Sequence, residues 1–308
     1  MTTALCTLYE GDFHHGLAAL ANSLIHAGYR GDLWAGFRGD LPAWATAEKG
    51  GGKIAGIARH AEVRVVFVRL ETAMHFGCYK PDFIRRVLDE FAPAADAAAY
   101  TDPDLVVEAP WSLLEPWIHA GIALCEDVNS PLGDGHPWTV AWRAFCARHG
   151  VAVRRTPAWY ANSGFVGVPR PYAAFLDAWT HTMALVGKEI GGLDRLKTAD
   201  PFSPFNSVDQ DALNLACWMT DYPMQPAGRA AMAFGPGLAL FPHALGPNKP
   251  WRGGHFRRAL HGLPPAYAHK AWLRFAGQDF QSMPAGKLRR LRMEFGLAAL
   301  IGRFYRRA

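Results

Sequence analysis

The sequence predicts an α/β fold with a mixed, mostly parallel central sheet flanked by helices. Up to residue 221, short segments rich in apolar and β-branched residues alternate with longer segments whose apolar residues recur at helical spacing. Glycines and prolines fall between these segments, where turns and helix ends are expected. Half of the 308 residues are hydrophobic, so one large α/β domain can bury a substantial core.

The first hundred or so residues show strand signals followed by helix signals. The helical spacing after the first strand stops at Gly28, because glycine readily adopts the left-handed conformation that ends a helix. Pro81 suits the first turn of a second helix. The predicted strands are Thr3–Tyr9, Asp32–Phe37, Val63–Leu70 and Asp96–Asp102, and the predicted helices are 14–28 and 81–92.

Residues 111–221 continue the alternation. Gly150 is placed to close one helix, and Ser207 is placed to cap another with its hydroxyl group. The predicted helices are 111–121, 136–150 and 208–221, and the predicted strands are 121–127 and Trp159–Val168.

The net charge of +5 is concentrated at the carboxyl-terminal end. Residues 250–308 contain twelve Lys or Arg and two acids, a net charge of +10, which leaves −5 for the preceding residues. The basic character is therefore not spread over the fold, and this disfavours a nucleic-acid partner.

Five cysteines are scattered along the chain without a CxxC spacing. The pattern argues against a disulfide framework or a cysteine zinc site, and it favours a reducing cytoplasm with all five thiols as small buried side chains. The first residues lack the basic and apolar regions of a signal peptide. No apolar run approaches the length of a membrane-spanning helix.

An acidic pair and a distant histidine make a candidate metal site. Asp102 and Asp104 flank Pro103 at the end of an apolar strand, where α/β folds bind their ligands. Two carboxylates can hold a hard cation, although a lone D-x-D is more often a solvated turn. Adding the imidazole of His243 favours Mn²⁺, with Mg²⁺ as the alternative cation.

The segment Phe241–Trp251 also has the features of a phosphate site. Lys249 brings a positive charge, and Gly246 leaves room for close backbone approach. A metal beside this segment would neutralise a diphosphate leaving group, which indicates chemistry on a nucleoside diphosphate. The alternatives are an ordinary surface lysine and a packed or surface histidine at position 243.

Three further segments have structural alternatives to a functional role. Asp209 and Asp211 fall in the first turn of a helix, where acids stabilise the helix dipole. Asn162 and Ser163 interrupt an apolar strand and either form a bulge or bond to sugar hydroxyls. Residues 50–53 (GGGK) lack the spacing and the Ser or Thr of a P-loop, so they predict an ordinary loop.

Taken in order, four segments resemble the family 8 glycosyltransferases, which are retaining, metal-dependent enzymes of GT-A fold and include bacterial lipopolysaccharide galactosyl- and glucosyltransferases. The resemblance covers residues 3–255. It implies a Rossmann-like nucleotide-sugar-binding fold. Its last motif, H-x-x-G-x-x-K-P-W, is specific to the family, and the occurrence of all four segments in the same order is more specific still. The segments are YTDPDLVV (100–107), WYANSGFVGV (159–168), DQDALN (209–214) and HALGPNKPW (243–251).

The resemblance implies a role for each matching residue. Asp209 and Gln210 are the implied catalytic residues, with Gln210 beneath the anomeric carbon. The chain departs from the family pattern at Tyr9-Glu10-Gly11-Asp12, which alters the expected contacts to uridine. The implied metal ligands are Asp102, Asp104 and His243. The implied contacts to the nucleotide and its diphosphate are Tyr9, Glu10, Lys80, Asp102, Gly246 and Lys249. The implied contacts to the donor sugar are Lys80, Asn162, Ser163, Asp209 and Gln210.

Residues 256–308 are predicted to form a basic helical extension to a catalytic domain of residues 1–255. Residues 285–308 carry seven basic residues and one acid. Such a helix suits an anionic membrane surface, at about 1 kcal/mol per basic residue, or else packs its apolar face on the core. The resemblance favours the membrane. The apolar positions at helical spacing are Leu288, Leu291, Phe295, Ala298, Ile301 and Tyr305.

The resemblance predicts transfer of a hexose from a nucleotide sugar, expected to be UDP-linked, to a glycan or lipid-linked acceptor. We expect the protein in the cytoplasm, peripherally at the inner face of the membrane, with acceptor contacts from loops 127–136 and 191–206. The alternatives are a metal-dependent phosphohydrolase and a non-catalytic protein that binds nucleotide sugars. A phosphohydrolase would explain the metal ligands but not the Asn-Ser-Gly or Lys-Pro-Trp segments.

Overall fold

A computed structural model describes residues 1–48 and 52–305, and in these residues nine strands form one mixed sheet. The strand order is β3-β4-β5-β2-β1-β6-β8-β7-β9. The four central strands β5, β2, β1 and β6 run parallel, whereas β8 pairs antiparallel with β6 and β7. The strands are β1 Thr3–Glu10, β2 Gly31–Arg38, β3 Thr46–Ala47, β4 Ile54–Arg59, β5 Val63–Arg69, β6 Ala97–Thr101, β7 Ile122–Glu126, β8 Ala161–Pro169 and β9 Met224–Ala227.

Helices cover both faces of the sheet, so the predicted α/β class is confirmed. Alternate residues of β1 enter opposite cores: Cys6 and Leu8 face α2, α4, α5 and α6, whereas Leu5 and Tyr9 face α1 and α3. The helices are α1 His14–Ala27, α2 Lys80–Arg86, α3 Trp111–His119, α4 Pro137–Arg148, α5 Ala174–Ile190, α6 Val208–Met219, α7 His255–Leu260, α8 Tyr267–Phe275 and α9 Ala285–Ile301.

The local signals explain where the helices begin and end. Gly28 adopts φ 83° and ends α1, as the sequence predicted. Pro81 occupies the first turn of α2, where its missing N–H costs no helical hydrogen bond. After Arg86 the helix continues as a π-helical turn, Val87–Phe91, so the predicted 81–92 segment is helical but not uniformly α.

The predicted hydroxyl cap at Ser207 is wrong. Ser207 stands at the N-cap position of α6, but its side chain accepts no hydrogen bond from the helix. Its hydroxyl instead accepts one from the ammonium group of Lys197, and its backbone N–H donates to Asp211 at 2.8 Å. At this helix start the side chain that accepts is therefore the Asp211 carboxylate inside α6, and Ser207 contributes its backbone N–H.

The carboxyl-terminal helices pack on α1. Trp251 and Trp272 lie with ring centroids 5.9 Å apart in an apolar cluster that also contains Ala19 of α1 and Leu291 of α9. The apolar face predicted for α9 is buried at Leu288, Leu291, Phe295 and Ala298. Of the other two predicted positions, Ile301 is half-buried and Tyr305 is exposed, so protein covers the predicted face only as far as Ala298.

Other expectations are met in the described residues. All five cysteines are buried and free, as predicted. No helix within residues 1–48 and 52–305 is long and apolar enough to cross a bilayer. The predicted loop at residues 50–53 lies partly outside the described residues, as do residues 306–308 of the basic tail.

Candidate active site

The acidic pair lies where β6 ends, at the carboxyl edge of the parallel strands. The backbone N–H of Asp102 donates to the carbonyl of Gly164 in β8 at 2.7 Å, which ties the turn to the neighbouring strand. Gly16 of α1 packs directly beneath the turn, since a Cβ there would lie 2.2 Å from the carbonyl oxygen of Pro103. The glycine permits this close approach.

His243 faces both carboxylates. Its Nε2 lies 3.2 Å from Asp104 Oδ1 and 3.8 Å from Asp102 Oδ2, and Leu105 forms an isolated antiparallel bridge with His243. A Cβ on Gly164 would come within 2.7 Å of the imidazole ring, so the glycine makes room for it. One ligand atom from each of the three side chains lies within 4.8 Å of the other two, and both distances from His243 Nε2 are below about 4.2 Å, twice a metal–ligand bond of about 2.1 Å.

Lys249 lies beside this cluster and is almost completely buried. Its ammonium group donates to Asp104 and to the carbonyl of Ala244, at 2.7 Å from the latter. Burial alone would raise the pKa of Asp104, but the charges of His243 and Lys249 outweigh it and hold the pKa below its usual range. The surface-lysine alternative at position 249 is therefore wrong.

A second cation, Lys80, lies on the opposite side of the acidic pair. Its Nζ is 2.9 Å from Asp209 and 3.1 Å from Asp102, and it also donates to the Ser163 hydroxyl at 3.1 Å. Burial lowers the pKa of Lys80, yet the two carboxylates outweigh burial and raise it overall. The lysine is therefore a buried cation that joins Ser163 and Asp209, predicted to contact the donor sugar, to Asp102, a predicted metal ligand.

Polar groups of β8 and α6 line the next part of the cavity. Gln210 Oε1 accepts from the backbone N–H of Ser163 at 3.3 Å, and Asn162 donates to Asp127 at 2.7 Å. The β7–β8 pairing shifts register between Leu124 and Cys125, so the predicted bulge is present beside Asn162. Asn162 and Ser163 both line the cavity next to this bulge.

One cavity of about 600 Å³ brings the predicted residues together. It follows the carboxyl edge of the sheet from the end of β1 to the start of α6, and it is open to solvent. The predicted residues in its lining are Tyr9, Glu10, Lys80, Asp102, Asp104, Asn162, Ser163, Asp209, Gln210, His243, Gly246 and Lys249.

The end of the cavity next to β1 contains neither the acidic pair nor the buried lysines, and its charged groups are paired with arginines. Glu10 is exposed and pairs with Arg38 at 2.9 Å. Tyr9 stacks on Phe37, and its buried hydroxyl has no hydrogen-bond partner among the described residues. Asp12, in the same segment, accepts hydrogen bonds from Nε and Nη2 of Arg252 at 2.7 and 2.8 Å.

Asp211 points away from the cavity. It is buried and accepts from the Tyr160 hydroxyl at 2.5 Å and from the Ser207 N–H at 2.8 Å. Burial raises the pKa of Asp211 to about 8, with a further contribution from Asp209, although both hydrogen bonds oppose the shift. Asp211 is therefore a structural group of α6, whereas Asp209 reaches the cavity.

Comparisons with solved structures agree in fold. The bifunctional glycosyltransferase WbbM superposes with a TM-score of 0.52 at 12% identity, over 95% of this chain and 51% of WbbM. The galactosyltransferase LgtC in complex with donor and acceptor sugar analogues superposes with a TM-score of 0.50 at 16% identity, over 92% of this chain and 99% of LgtC. An active-site glutamine-to-glutamate mutant of LgtC also reaches 0.50, at 15% identity, over 92% of this chain and 98% of LgtC.

The chain has the GT-A fold. The chain spans about half the length of WbbM and nearly all of LgtC. No protein-family model and no curated protein sequence matches the chain. The predicted GT-A architecture is confirmed.

Several cavity residues of this GT-A fold were not predicted individually. Asp127 directly follows β7 as Asp102 directly follows β6, so the same strand-end signal could have found it, although it was expected only within a variable loop. His75, Lys197 and Arg252 also line the cavity. They lie in irregular segments where periodicity carries no signal.

Proposed function

We propose that this chain is a metal-dependent retaining glycosyltransferase that moves a hexose from a UDP-linked donor to a glycan or lipid-linked acceptor. One observation carries the proposal. A single cavity holds the Asp102, Asp104 and His243 cluster between two buried lysines, with the carboxamide of Gln210 on the same wall. The GT-A fold of the chain supports the same class of enzyme.

The Asp102, Asp104 and His243 cluster is the proposed cation site. Two carboxylates and one imidazole are a donor set that suits Mn²⁺ better than Mg²⁺, which favours oxygen ligands alone. Nε2 of His243 faces the carboxylates, and its Nδ1 is buried without a partner among the described residues. Bound there, a divalent cation would supply positive charge opposite the diphosphate leaving group.

Lys249 and Gly246 are the proposed diphosphate contacts. The Lys249 ammonium already donates to Asp104 and Ala244, and its third N–H remains for a phosphate oxygen. Gly246 adopts φ 80° and has open space where a side chain would stand. The backbone can therefore approach a phosphate closely at this point.

Lys80, Asn162, Ser163 and Asp209 are the proposed donor-sugar contacts, with Gln210 facing the anomeric carbon. The amide oxygen of Gln210 is neutral, so it can stabilise positive charge at that carbon without attracting a proton from solvent. Lys80 balances the charge of Asp209, which keeps the carboxylate ionised to accept sugar hydroxyls. LgtC, which shares the fold, also has a glutamine in its active site.

Tyr9 and Glu10 are the proposed contacts to the nucleoside. Tyr9 lines this end of the cavity with its side chain packed in the core, and Glu10 offers an exposed carboxylate at the same end. A carboxylate can accept the imide N–H of uracil, which supports UDP as the nucleotide.

We further propose that the outward side of α9 contacts an anionic membrane. Met293, Leu297, Leu300 and Phe304 recur every three or four residues on the exposed side and are each at least half exposed. Exposed arginines such as Arg290 share this helix. Apolar and basic groups together are the composition that binds an anionic bilayer surface. The stripe is distinct from the buried face that the sequence pointed to.

A thermal-shift screen followed by a product assay tests the function. We expect UDP-hexoses to raise the melting temperature in the presence of Mn²⁺ and not after chelation, because a ligand that binds the native state stabilises it. Asp102→Ala and His243→Ala should abolish Mn²⁺-dependent sugar transfer while the fold survives. Asp221→Ala, at an exposed acid outside the cavity, is the control.

The products separate the proposal from its alternatives. Free or transferred sugar together with UDP supports a transferase. Release of inorganic phosphate or nucleoside monophosphate as the primary product would indicate a phosphohydrolase. Calorimetric binding of UDP with Mn²⁺ but no turnover over long incubation would indicate a non-catalytic binding protein. Full activity of Asp102→Ala under limiting metal would overturn the site assignment.

A further inference from the structure

The segment that carries Lys249 has little regular structure of its own. It runs between Pro247 and Pro250, neither of which has a backbone N–H to donate. The N–H of Lys249 bonds to the carbonyl of Pro247 at 3.1 Å, within the same turn. Arg252 also donates to that carbonyl, at 2.9 Å. The position of the lysine therefore depends on side chains that reach the segment from elsewhere.

Two histidines of the carboxyl-terminal helices reach the carbonyls on either side of Lys249. Nε2 of His269, in α8, lies 2.8 Å from the carbonyl oxygen of Asn248. Nε2 of His255, at the start of α7, lies 3.0 Å from the carbonyl oxygen of Pro250. A carbonyl oxygen only accepts hydrogen bonds, so each imidazole donates through an Nε2–H group.

The two imidazoles are held firmly. His255 is buried, lies 4.1 Å from the ring of Phe295 in α9 and meets His269 edge to face at 5.7 Å. Burial lowers the pKa of both histidines, with the positive charge of Lys249 lowering that of His269 further. Both are therefore neutral at neutral pH. Nδ1 of His269 is buried and has no partner among the described residues, which agrees with the Nε2–H tautomer.

We propose that His255 and His269 are positioning residues that fix the backbone on both sides of Lys249 and so set where its ammonium group meets a diphosphate. The inference rests on the proposed function for the role of Lys249. The carboxyl-terminal helices then have a second role besides membrane contact: α7 and α8 hold the backbone around Lys249 in place through these two hydrogen bonds. Trp251, packed on Trp272, makes the same connection through apolar contact.

The test compares variants that keep or remove the N–H donor. His269→Gln and His255→Gln place an amide N–H near the original Nε2, whereas His269→Phe and His255→Phe keep a ring without a donor. We expect each Phe variant to bind UDP with Mn²⁺ about fivefold more weakly, the equivalent of one hydrogen bond of about 1 kcal/mol. The Gln variants should stay within about twofold of the wild type, as should His261→Phe, a control at an exposed histidine of the same region.

Hydrogen exchange of the ligand-free protein provides a second, independent readout. Peptides covering residues 243–252 should exchange faster in the Phe variants than in the Gln variants, with peptides from the sheet unchanged. If the wild type binds no nucleotide, the proposed function fails and this exchange result alone decides the positioning role. Unchanged exchange in the Phe variants, or Gln variants as impaired as Phe variants, would overturn the inference. Melting temperatures measured in parallel exclude general unfolding as the cause.

Discussion

Lys80 and Asp209 form a buried ion pair with Nζ 2.9 Å from the carboxylate, although 129 residues separate them in the chain. The same ammonium group lies 3.1 Å from Asp102. One cation thus connects the first turn of α6 to the acidic pair after β6. Asp209 also accepts from the Ser163 hydroxyl at 2.7 Å, so the proposed donor-sugar contacts and the proposed metal ligands belong to a single network.

Removing the positive charge of Lys80 should destabilise the folded protein. Lys80→Met leaves two carboxylates next to each other without their buried partner, and we expect it to lower the free energy of unfolding by about 3–5 kcal/mol. Adding Asp209→Asn removes one of the two stranded charges and should recover part of the loss. Urea unfolding of both variants measures this. Lys53→Met is the control, because its pair with Glu90 is exposed and should contribute at most about 1 kcal/mol.

How much of this site could be read from the sequence depended on the range of the interaction. Asp102 was found because an apolar strand runs directly into it, a signal carried by neighbouring residues. The contacts of Lys80 with Asp209 and Asp102 were not found, since no periodicity connects residues so far apart. Ser207 was misassigned for the same reason: Lys197, which binds its hydroxyl, belongs to a separate irregular segment.

In the sheet, too, the strands with a strong local sequence pattern were predicted and the others were not. The strong strands β1, β2, β5, β6, β7 and β8 were predicted, because each has an apolar run. The edge strands β3 and β9 and the neighbouring β4 were not predicted, since β3 and β9 contain two and four residues and β4 shows little alternation. In α9, periodicity found the four buried positions up to Ala298 but could not show that Trp251 and α7 would cover them.

Gly16 should tolerate no side chain. A Cβ there would meet the carbonyl oxygen of Pro103 at 2.2 Å and the Trp251 ring at 2.8 Å, so Gly16→Ala must push α1 away from the acidic turn. We expect a loss of about 1–3 kcal/mol from overpacking together with weaker Mn²⁺ binding, measured by urea unfolding and calorimetry.

Gly296→Ala provides the matched control within a helix. Gly296 lies inside α9 with open space around its missing Cβ. The same substitution should therefore stabilise the protein by about 0.5–1 kcal/mol through helix propensity. Equal effects at both positions would contradict the close packing assigned to Gly16.

Asp211 should make stability fall as pH rises. Burial raises its pKa in the folded protein to about 8, above the value of about 3.9 for an unfolded chain. Between these two values the folded state holds a proton that the unfolded state has lost, so this contribution to stability is complete below pH 4 and declines up to about pH 8.

Asp211→Asn removes that titration. Relative to the wild type, the variant should become progressively more stable as the pH is raised from 5 to 8, as measured by urea unfolding at each pH. Asp221→Asn, at an exposed acid, should run parallel to the wild type. A constant difference between Asp211→Asn and the wild type would show that Asp211 is ionised throughout.

The exposed stripe on α9 should control membrane binding without contributing to the fold. Leu297 and Leu300 are 52% and 50% exposed, so the double change Leu297→Gln/Leu300→Gln should leave the melting temperature unchanged. Each leucine contributes about 0.7 kcal/mol when its exposed part enters a bilayer, which predicts about tenfold weaker binding to vesicles rich in anionic lipid.

Leu113→Gln is the matched control for the stripe, because Leu113 is 55% exposed on α3 and should have no effect on vesicle binding. Raising the salt concentration should weaken binding of the wild type, since the basic residues of α9 attract the surface through a screened charge interaction. Binding that is insensitive to both the leucine substitutions and salt would mean that α9 does not meet the membrane. The role of α9 would then be structural only: its buried face packs against His255, one of the two histidines that position the segment around Lys249.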